Sequence, residues 1–349
     1  MSKTKKLFLS ILISLIAFAI FFMVLEFFFW VFEDNSDEEI LAETFKKYSD
    51  LYKVSENKDV SFELKSNVNL TLNSIKGDFY TMDILTNSQG LREEKEIPFE
   101  KSPEKFRIIG LGDSIMFGAS VNNDETFLKN LEKRNENIET INFGVGSSNP
   151  RHEYYFLKHK NAANYSPDLL LLSITYNDFD NRVRIFDPEI GNWYYEEIGP
   201  AKKESKSRVI RAVQKLFQKD EEIPITQQQI EQTKFWINSI KKYADENGMN
   251  FLLVLIPAKS EIQLTSYLPD GSLEKAALIE TKYIEDICID LKIDCIWPLV
   301  WLKINNANKG IDLDELYWDD IHPYKKGHEV IGEFIYLWLK NEGYVQDEQ

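Results

Sequence analysis

The chain opens on a long uncharged, predominantly apolar run, Leu7 to Leu25, preceded by Lys3, Lys5 and Lys6 and followed by Glu33, Asp34, Asp37, Glu38 and Glu39. As a helix, the stretch from Leu7 to Glu26 spans roughly 30 Å, the thickness of a bilayer's hydrocarbon core. The next segment is charged, with apolar residues at helical spacing (Ile40, Leu41, Phe45, Tyr48, Leu51), and predicts a stalk helix. At Val60 the period changes to two: Val60, Phe62 and Leu64, then Val68, Leu70 and Leu72, predict short strands ahead of a turn at Asn87-Ser88-Gln89-Gly90. From Lys105 onward, apolar strand-like runs at Phe106–Leu111, Thr140–Phe143, Leu169–Thr175, Phe251–Ile256 and Cys295–Trp297 alternate with helical patterns. Those patterns lie at Glu125–Arg134, His152–His159, Gln229–Glu246, Leu273–Leu291 and His328–Leu339. Strands apolar on both faces and separated by helices predict a parallel sheet covered on both sides.

The pattern divides the chain into a cytoplasmic tip and anchor (1–32), a stalk with a small β-rich module (33–104) and an α/β domain (105–349). Within the last, an insertion spans about 183–228, longer than such connections usually run. It carries Trp193, Tyr194 and Tyr195, then a basic amphipathic stretch with Lys206, Arg208, Arg211, Lys215 and Lys219. Two readings of that stretch stand: a surface for anionic lipid or polymer, or a packed helix with a solvated basic face. The aromatic stretch reads as a lid, as sugar-stacking residues or as an ordinary hairpin.

Lysines before the apolar run mark the cytoplasmic end, so the rest of the chain is expected outside. The length of the run, and an Ala17-Phe18-Ala19 buried within it, favour an uncleaved anchor over a cleaved signal peptide. Phe27, Phe28, Phe29 and Trp30 make an interfacial aromatic belt, with Glu26 at headgroup level or touching another membrane protein. A formal charge of −16 over 349 residues excludes nucleic acid as a partner, because its phosphates would be repelled. Cys288 and Cys295 read equally as a disulfide across a helix-to-strand turn or as two buried thiols. Neither they nor the histidines fit a metal pattern; His152 and His159 lack further ligands, and His328 reads as a surface residue. No metal or cofactor is expected.

In a parallel sheet, reactive groups gather where strands end at their carboxyl edge. Four segments are predicted there: Gly112-Asp113-Ser114 after the first strand, Asn142 to Ser147 after the second, Tyr176-Asn177-Asp178 after the third, and Asp319-Asp320-Ile321-His322-Pro323 in the last loop. A serine hydroxyl is a weak nucleophile. It needs an imidazole to take its proton, and the imidazole needs a carboxylate to fix its tautomer and stabilise its cation. Ser114, His322 and Asp319 supply those three groups.

In block order and spacing, residues 105 to 342 resemble the SGNH (GDSL-type) hydrolase superfamily, and the Thr86-Asn87-Ser88-Gln89-Gly90-Leu91-Arg92 motif with the anchor resembles a bacterial membrane-anchored subgroup. The resemblance implies a three-layer α/β/α, flavodoxin-like parallel sheet behind an N-terminal transmembrane helix. It also implies that Ser114 is the nucleophile, His322 the general base and acid, and Asp319 its orienting carboxylate. The oxyanion hole would comprise the Ser114 N–H, the Gly146 N–H (Gly144 being the alternative) and the Asn177 side-chain amide. Thr175 departs from the family, which usually has glycine there, and Asp178 is expected to brace the loop.

The activity so implied is a serine esterase acting on acyl, foremost acetyl, esters of carbohydrate or lipid. An O-acetyltransferase modifying an envelope or exported polysaccharide beside a multi-spanning membrane partner would use the same groups. A non-catalytic anchored scaffold is the third reading.

Overall fold

The structure, a computed structural model, describes residues 3–32, 46–73, 81–197, 225–264, 279–298 and 312–346. Helix α1 (Lys3–Phe32) contains a 19-residue stretch, Ser10–Phe28, long and apolar enough by length and composition to cross a membrane. Of the predicted stalk, Ile40, Leu41 and Phe45 lie outside the described residues, whereas 46–51 are helical. The basic stretch 206–219 is also outside them.

The expected parallel sheet is present. Its strands are β5 (Phe106–Gly112), β6 (Ile138–Gly144), β7 (Leu169–Ile174), β10 (Asn250–Leu255) and β11 (Asp294–Ile296), in the order β11-β10-β7-β5-β6. All four neighbouring pairs are parallel. The chain places its second sheet strand on one side of the first and every later one on the other, the flavodoxin-like order. A crevice therefore opens beyond the carboxyl ends of β5 and β7, where the winding reverses.

Alternate residues of each central strand enter opposite layers, as a two-residue period requires. Ile108, Leu169, Leu171, Leu252 and Val254 pack with Phe127, Leu128 and Leu131 of α3 (Phe127–Arg134) and Ile331, Ile335 and Leu339 of α8 (Lys325–Asn341). Ile109, Leu111, Leu170, Leu172, Leu253 and Leu255 face the other layer. There they meet α4 (Pro150–His159), α5 (Gln227–Glu246) and α7 (Ile279–Leu291). The short α6 (Lys259–Leu264) follows β10, and Cys288 of α7 is joined to Cys295 of β11 by a disulfide. Edge strand β6 does not leave its outward N–H groups bare: Glu132 accepts from Thr140 at 2.7 Å and Glu93 from Asn142 at 2.8 Å.

The N-terminal β-rich segment forms two antiparallel pairs, β1 (Tyr52–Val54) with β2 (Phe62–Leu64) and β3 (Asn69–Asn73) with β4 (Thr81–Leu85). Its Leu51, Tyr52, Phe62, Leu64, Leu72 and Ile84 are buried in the same cluster as Ile109 and Leu111 of the sheet. Phe62 stacks on His152 of α4 at 4.5 Å, and its carbonyl accepts from the His152 Nε2–H at 2.8 Å. The insertion begins with a hairpin, β8 (Arg184–Asp187) and β9 (Asn192–Tyr195), whose Trp193 meets Tyr52 edge-on at 4.9 Å. Because this segment completes the main core, Phe62→Ala should cost about 3–5 kcal/mol in a single cooperative unfolding transition. Urea denaturation of the folded chain checks this; a separate early transition, with the main one unmoved, would contradict it.

Candidate active site

Strand β5 ends at Gly112, whose hydrogen is all the space allows: an added Cβ would lie 2.2 Å from Ser173 Oγ and 2.9 Å from Met116 Cβ. Asp113 then caps the short helix α2 (Ser114–Phe117), its Oδ1 accepting from Ile115 N–H at 2.9 Å. This sets Ser114 at the first helical position, where the backbone N–H has no intrahelical acceptor and remains available to a substrate. Helix α2 ends on Gly118 at φ +88°, a left-handed conformation that favours glycine.

Ser114 Oγ lies 2.9 Å from His322 Nε2, and His322 Nδ1 lies 2.7 Å from Asp319 Oδ2. A carboxylate only accepts, so Nδ1 carries the proton and the lone pair of Nε2 faces the serine hydroxyl. The other carboxylate oxygen, Oδ1 of Asp319, accepts from the Ile321 and His322 N–H groups, each at 2.7 Å. Burial alone would raise the Asp319 pKa. The His322 ring N–H and the two backbone donors outweigh it and hold the carboxyl at about 2, ionised throughout the neutral range. The loop that carries both residues is pinned from outside. The Asp320 carbonyl accepts from Lys259 N–H at 2.7 Å, its carboxylate accepts from Ser260 N–H and Oγ–H, and Ser120 donates to the Pro323 carbonyl.

Asn177, at the end of β7, donates from Nδ2 to Asp113 Oδ2 at 3.2 Å, which places its amide beside Ser114. Asp178 braces this turn, accepting from Thr175 N–H at 2.8 Å. Gly146 also reaches the site: a Cβ built on it would stand 4.0 Å from the Ser114 Cβ. Gly144 is held differently. Its N–H donates to Asn142 Oδ1 at 2.8 Å, and it packs so closely on α2 that a Cβ would meet the Phe117 nitrogen at 2.2 Å. The structure thus brings Ser114, Asn177, Gly146, Asp319 and His322 to the crevice between β5 and β7.

Periodicity and motif left three contributors unseen. Tyr52, from β1, lays its phenol over Gly146, the oxygen 2.5 Å from the point a Cβ would occupy and within hydrogen-bonding reach of the Gly146 N–H. Trp318 lies beside the His322 ring, centroids 6.1 Å apart. Glu153, on α4, is buried and accepts from Ser148 Oγ at 2.8 Å, and Ser148 in turn contacts the Gly112 carbonyl at 3.2 Å. Tyr52 falls between the helical spacing that ends at Leu51 and the two-residue period that begins at Val60, in a strand where it alone is buried.

His328 corrects an expectation. The last helix starts a turn earlier, at Lys325, so His328 lies inside it, fully buried and stacked on Phe127. Its Nδ1 accepts from Phe127 N–H at 3.2 Å, and burial lowers its pKa to about 3. A groove of about 560 Å³ along β6, lined by charged residues such as Glu93, Lys129 and Glu132, contains none of the catalytic candidates.

No protein-family model matches the chain, nor does any curated protein. Among solved structures, it is similar to a psychrotrophic esterase from Pseudoalteromonas sp. (14% identity; 69% of this chain and 100% of that one; TM-score 0.42). It is likewise similar to a GDSL-like lipase from Bacteroides thetaiotaomicron (14% identity; 71% of this chain and 93% of that one; TM-score 0.39). An acetyl xylan esterase shows 13% identity over 67% of this chain and 98% of its own, with TM-score 0.39.

The buried carboxyl of Glu153 yields a test of the ground beneath the site. Burial pushes its pKa up to about 8; the Ser148 hydrogen bond opposes this and the Asp113 charge adds to it. An unfolded glutamate releases its proton near pH 4.3, so between about pH 4 and 8 the folded chain holds a proton that the unfolded chain has lost. The stability that proton confers is complete at the acid end of that window and declines as pH rises through it. Glu153→Gln should flatten that part of the decline, measured as the urea midpoint at pH 5 and pH 8; an unchanged slope would exclude Glu153 as its source. In fold, and in the order of its Ser114, Gly146, Asn177 and His322 blocks, the chain resembles the SGNH (GDSL-type) hydrolases.

Proposed function

We propose that this chain is a serine ester hydrolase working through Ser114, His322 and Asp319. The observation that carries the reading is the aligned pair of contacts, 2.9 Å from serine to imidazole and 2.7 Å from imidazole to carboxylate. Ser114 Oγ attacks the ester carbonyl carbon while His322 Nε2 takes its proton, and Asp319 stabilises the resulting imidazolium. The carbonyl oxygen becomes an oxyanion facing the Ser114 N–H and the Asn177 amide, with Gly146 at the pocket wall. Donors fixed before the reaction need no reorganisation when charge develops. Collapse expels the alcohol, which leaves with the proton from His322. Water then repeats the sequence on the acyl-enzyme.

A small acyl group, acetyl foremost, suits a pocket in which the Tyr52 phenol stands over Gly146. The ester belongs to a carbohydrate or a lipid. Two observations favour a membrane-anchored enzyme with its catalytic domain outside the cytoplasm: the apolar stretch Ser10–Phe28 behind three lysines, and the Cys288–Cys295 disulfide, a bond typical of oxidising compartments.

Full-length protein in detergent should hydrolyse a chromogenic acetate ester and be labelled covalently by a fluorophosphonate. Ser114→Ala should remain folded, lose the label and lose roughly 10⁴-fold or more in kcat. A folded wild type that takes no label, or equal labelling of Ser114→Ala, would remove this serine from the chemistry. With an oligosaccharide acceptor present, free acetate supports hydrolysis; acetylated sugar formed in its place would reassign the enzyme to acyl transfer.

A further inference from the structure

The Thr86–Arg92 motif lies outside the four blocks, yet it ends on a residue that needs explaining. A guanidinium is always charged, and burying it is costly unless its donors are met. Arg92 is only 2% exposed. Its Nη1 donates to the carbonyls of Phe117 and Gly118, its Nη2 to that of Val121 at 2.6 Å, and its Nε to Asn123 Oδ1 at 2.9 Å. The guanidinium carbon lies 4.5 Å from the centre of the Phe117 ring.

Those acceptors are the far end of the nucleophile's own turn. Gly118 and Ala119 N–H groups close α2 back onto the Ser114 and Ile115 carbonyls, which leaves the Phe117 and Gly118 carbonyls facing onward, into Arg92. A positive charge at a helix's carbonyl end is favourable, and here it also bridges three separate carbonyls. The rest of the motif delivers the arginine. Asn87 Oδ1 accepts from the Gln89 and Leu91 N–H groups at 3.0 and 3.1 Å. Gly90 turns the chain at φ +68°, where a Cβ would stand 3.0 Å from the Leu64 carbonyl oxygen.

We propose that Arg92 is a positioning residue for Ser114: it fixes the carboxyl end of α2 as Asp113 fixes its start, so that the serine hydroxyl and N–H keep their aim. The inference rests on the serine hydrolase reading above. It ties Arg92 and the loop that carries it to the catalytic apparatus without giving the arginine contact with substrate.

The test compares full-length wild type, Arg92→Lys, Arg92→Ala and Leu72→Ala, the last a core truncation in the same module away from α2. Urea midpoints and circular dichroism choose a temperature at which all are folded. At that temperature Arg92→Ala should lose about 10–100-fold in kcat on a chromogenic acetate ester with KM within twofold, the size expected when a reacting group is displaced by about an ångström. Fluorophosphonate labelling should slow in parallel. Arg92→Lys, which keeps the charge but cannot bridge three carbonyls, should recover part of the loss, and it stands in should Arg92→Ala not fold. Leu72→Ala should lose stability with kcat unchanged. Wild-type kcat and labelling in the Arg92 variants, or an equal kcat loss in Leu72→Ala, overturns the proposal while leaving the nucleophile intact. A folded wild type that takes no label overturns the serine reading, and this proposal with it.

Discussion

The whole arrangement depends on parallel strands having a common carboxyl edge. Because β5, β6 and β7 all run the same way, the segments leaving them emerge at one side of the sheet, whatever their separation in the chain. The winding reverses between β5 and β7, so the loops that follow diverge and leave a crevice at their base. Ser114 and Asn177 border it because they leave these two neighbouring strands. His322 arrives from much later in the chain, in the loop before α8, an element that packs on α3 in one of the two flanking layers.

Several buried polar groups lie beneath Ser114. Asp113, Glu153 and Asp178 lie within electrostatic reach of one another below the crevice, and burial drives Glu153 and Asp178 toward their protonated forms. Each has an assigned partner: Asp113 the Ile115 N–H, Glu153 the Ser148 hydroxyl, Asp178 the Thr175 N–H. These bonds set backbone positions rather than perform chemistry. Asp319 is the opposite case, a half-buried carboxylate kept ionised by the hydrogen bonds donated to it. One sheet edge therefore hosts carboxyls with opposed titration behaviour, distinguished by whether desolvation or donated hydrogen bonds prevail.

The β-rich segment ahead of the sheet shows how a small module becomes inseparable from a larger one. Its apolar residues complete the layer over Ile109 and Leu111, Tyr52 reaches Gly146, and Arg92 reaches the turn after Ser114. A short β segment of this kind buries too little surface to be stable alone, so its order depends on the face it covers.

The sequence by itself determined the fold class and named Ser114, Asp319 and His322 as candidates that the fold then brought together. Unbroken apolar runs of strand length between helical patterns admit a parallel sheet with two covered faces, and Ser114 and the Asp319-x-x-His322 turn are local enough to be read as motifs. Tertiary structure decided what depends on approach between distant segments. Gly146 lies beside Ser114 under the Tyr52 phenol, whereas the Gly144 N–H is taken by Asn142 and its α-carbon is pressed against α2. His328 is buried because the helix begins a turn before its apolar pattern does and docks on Phe127. The pairing of Cys288 with Cys295, which spacing left open, was decided by how α7 returns to β11. Periodicity reports which face of an element is apolar; which groups meet across elements is fixed only by packing, and in this chain Ser114 owes its setting to such meetings.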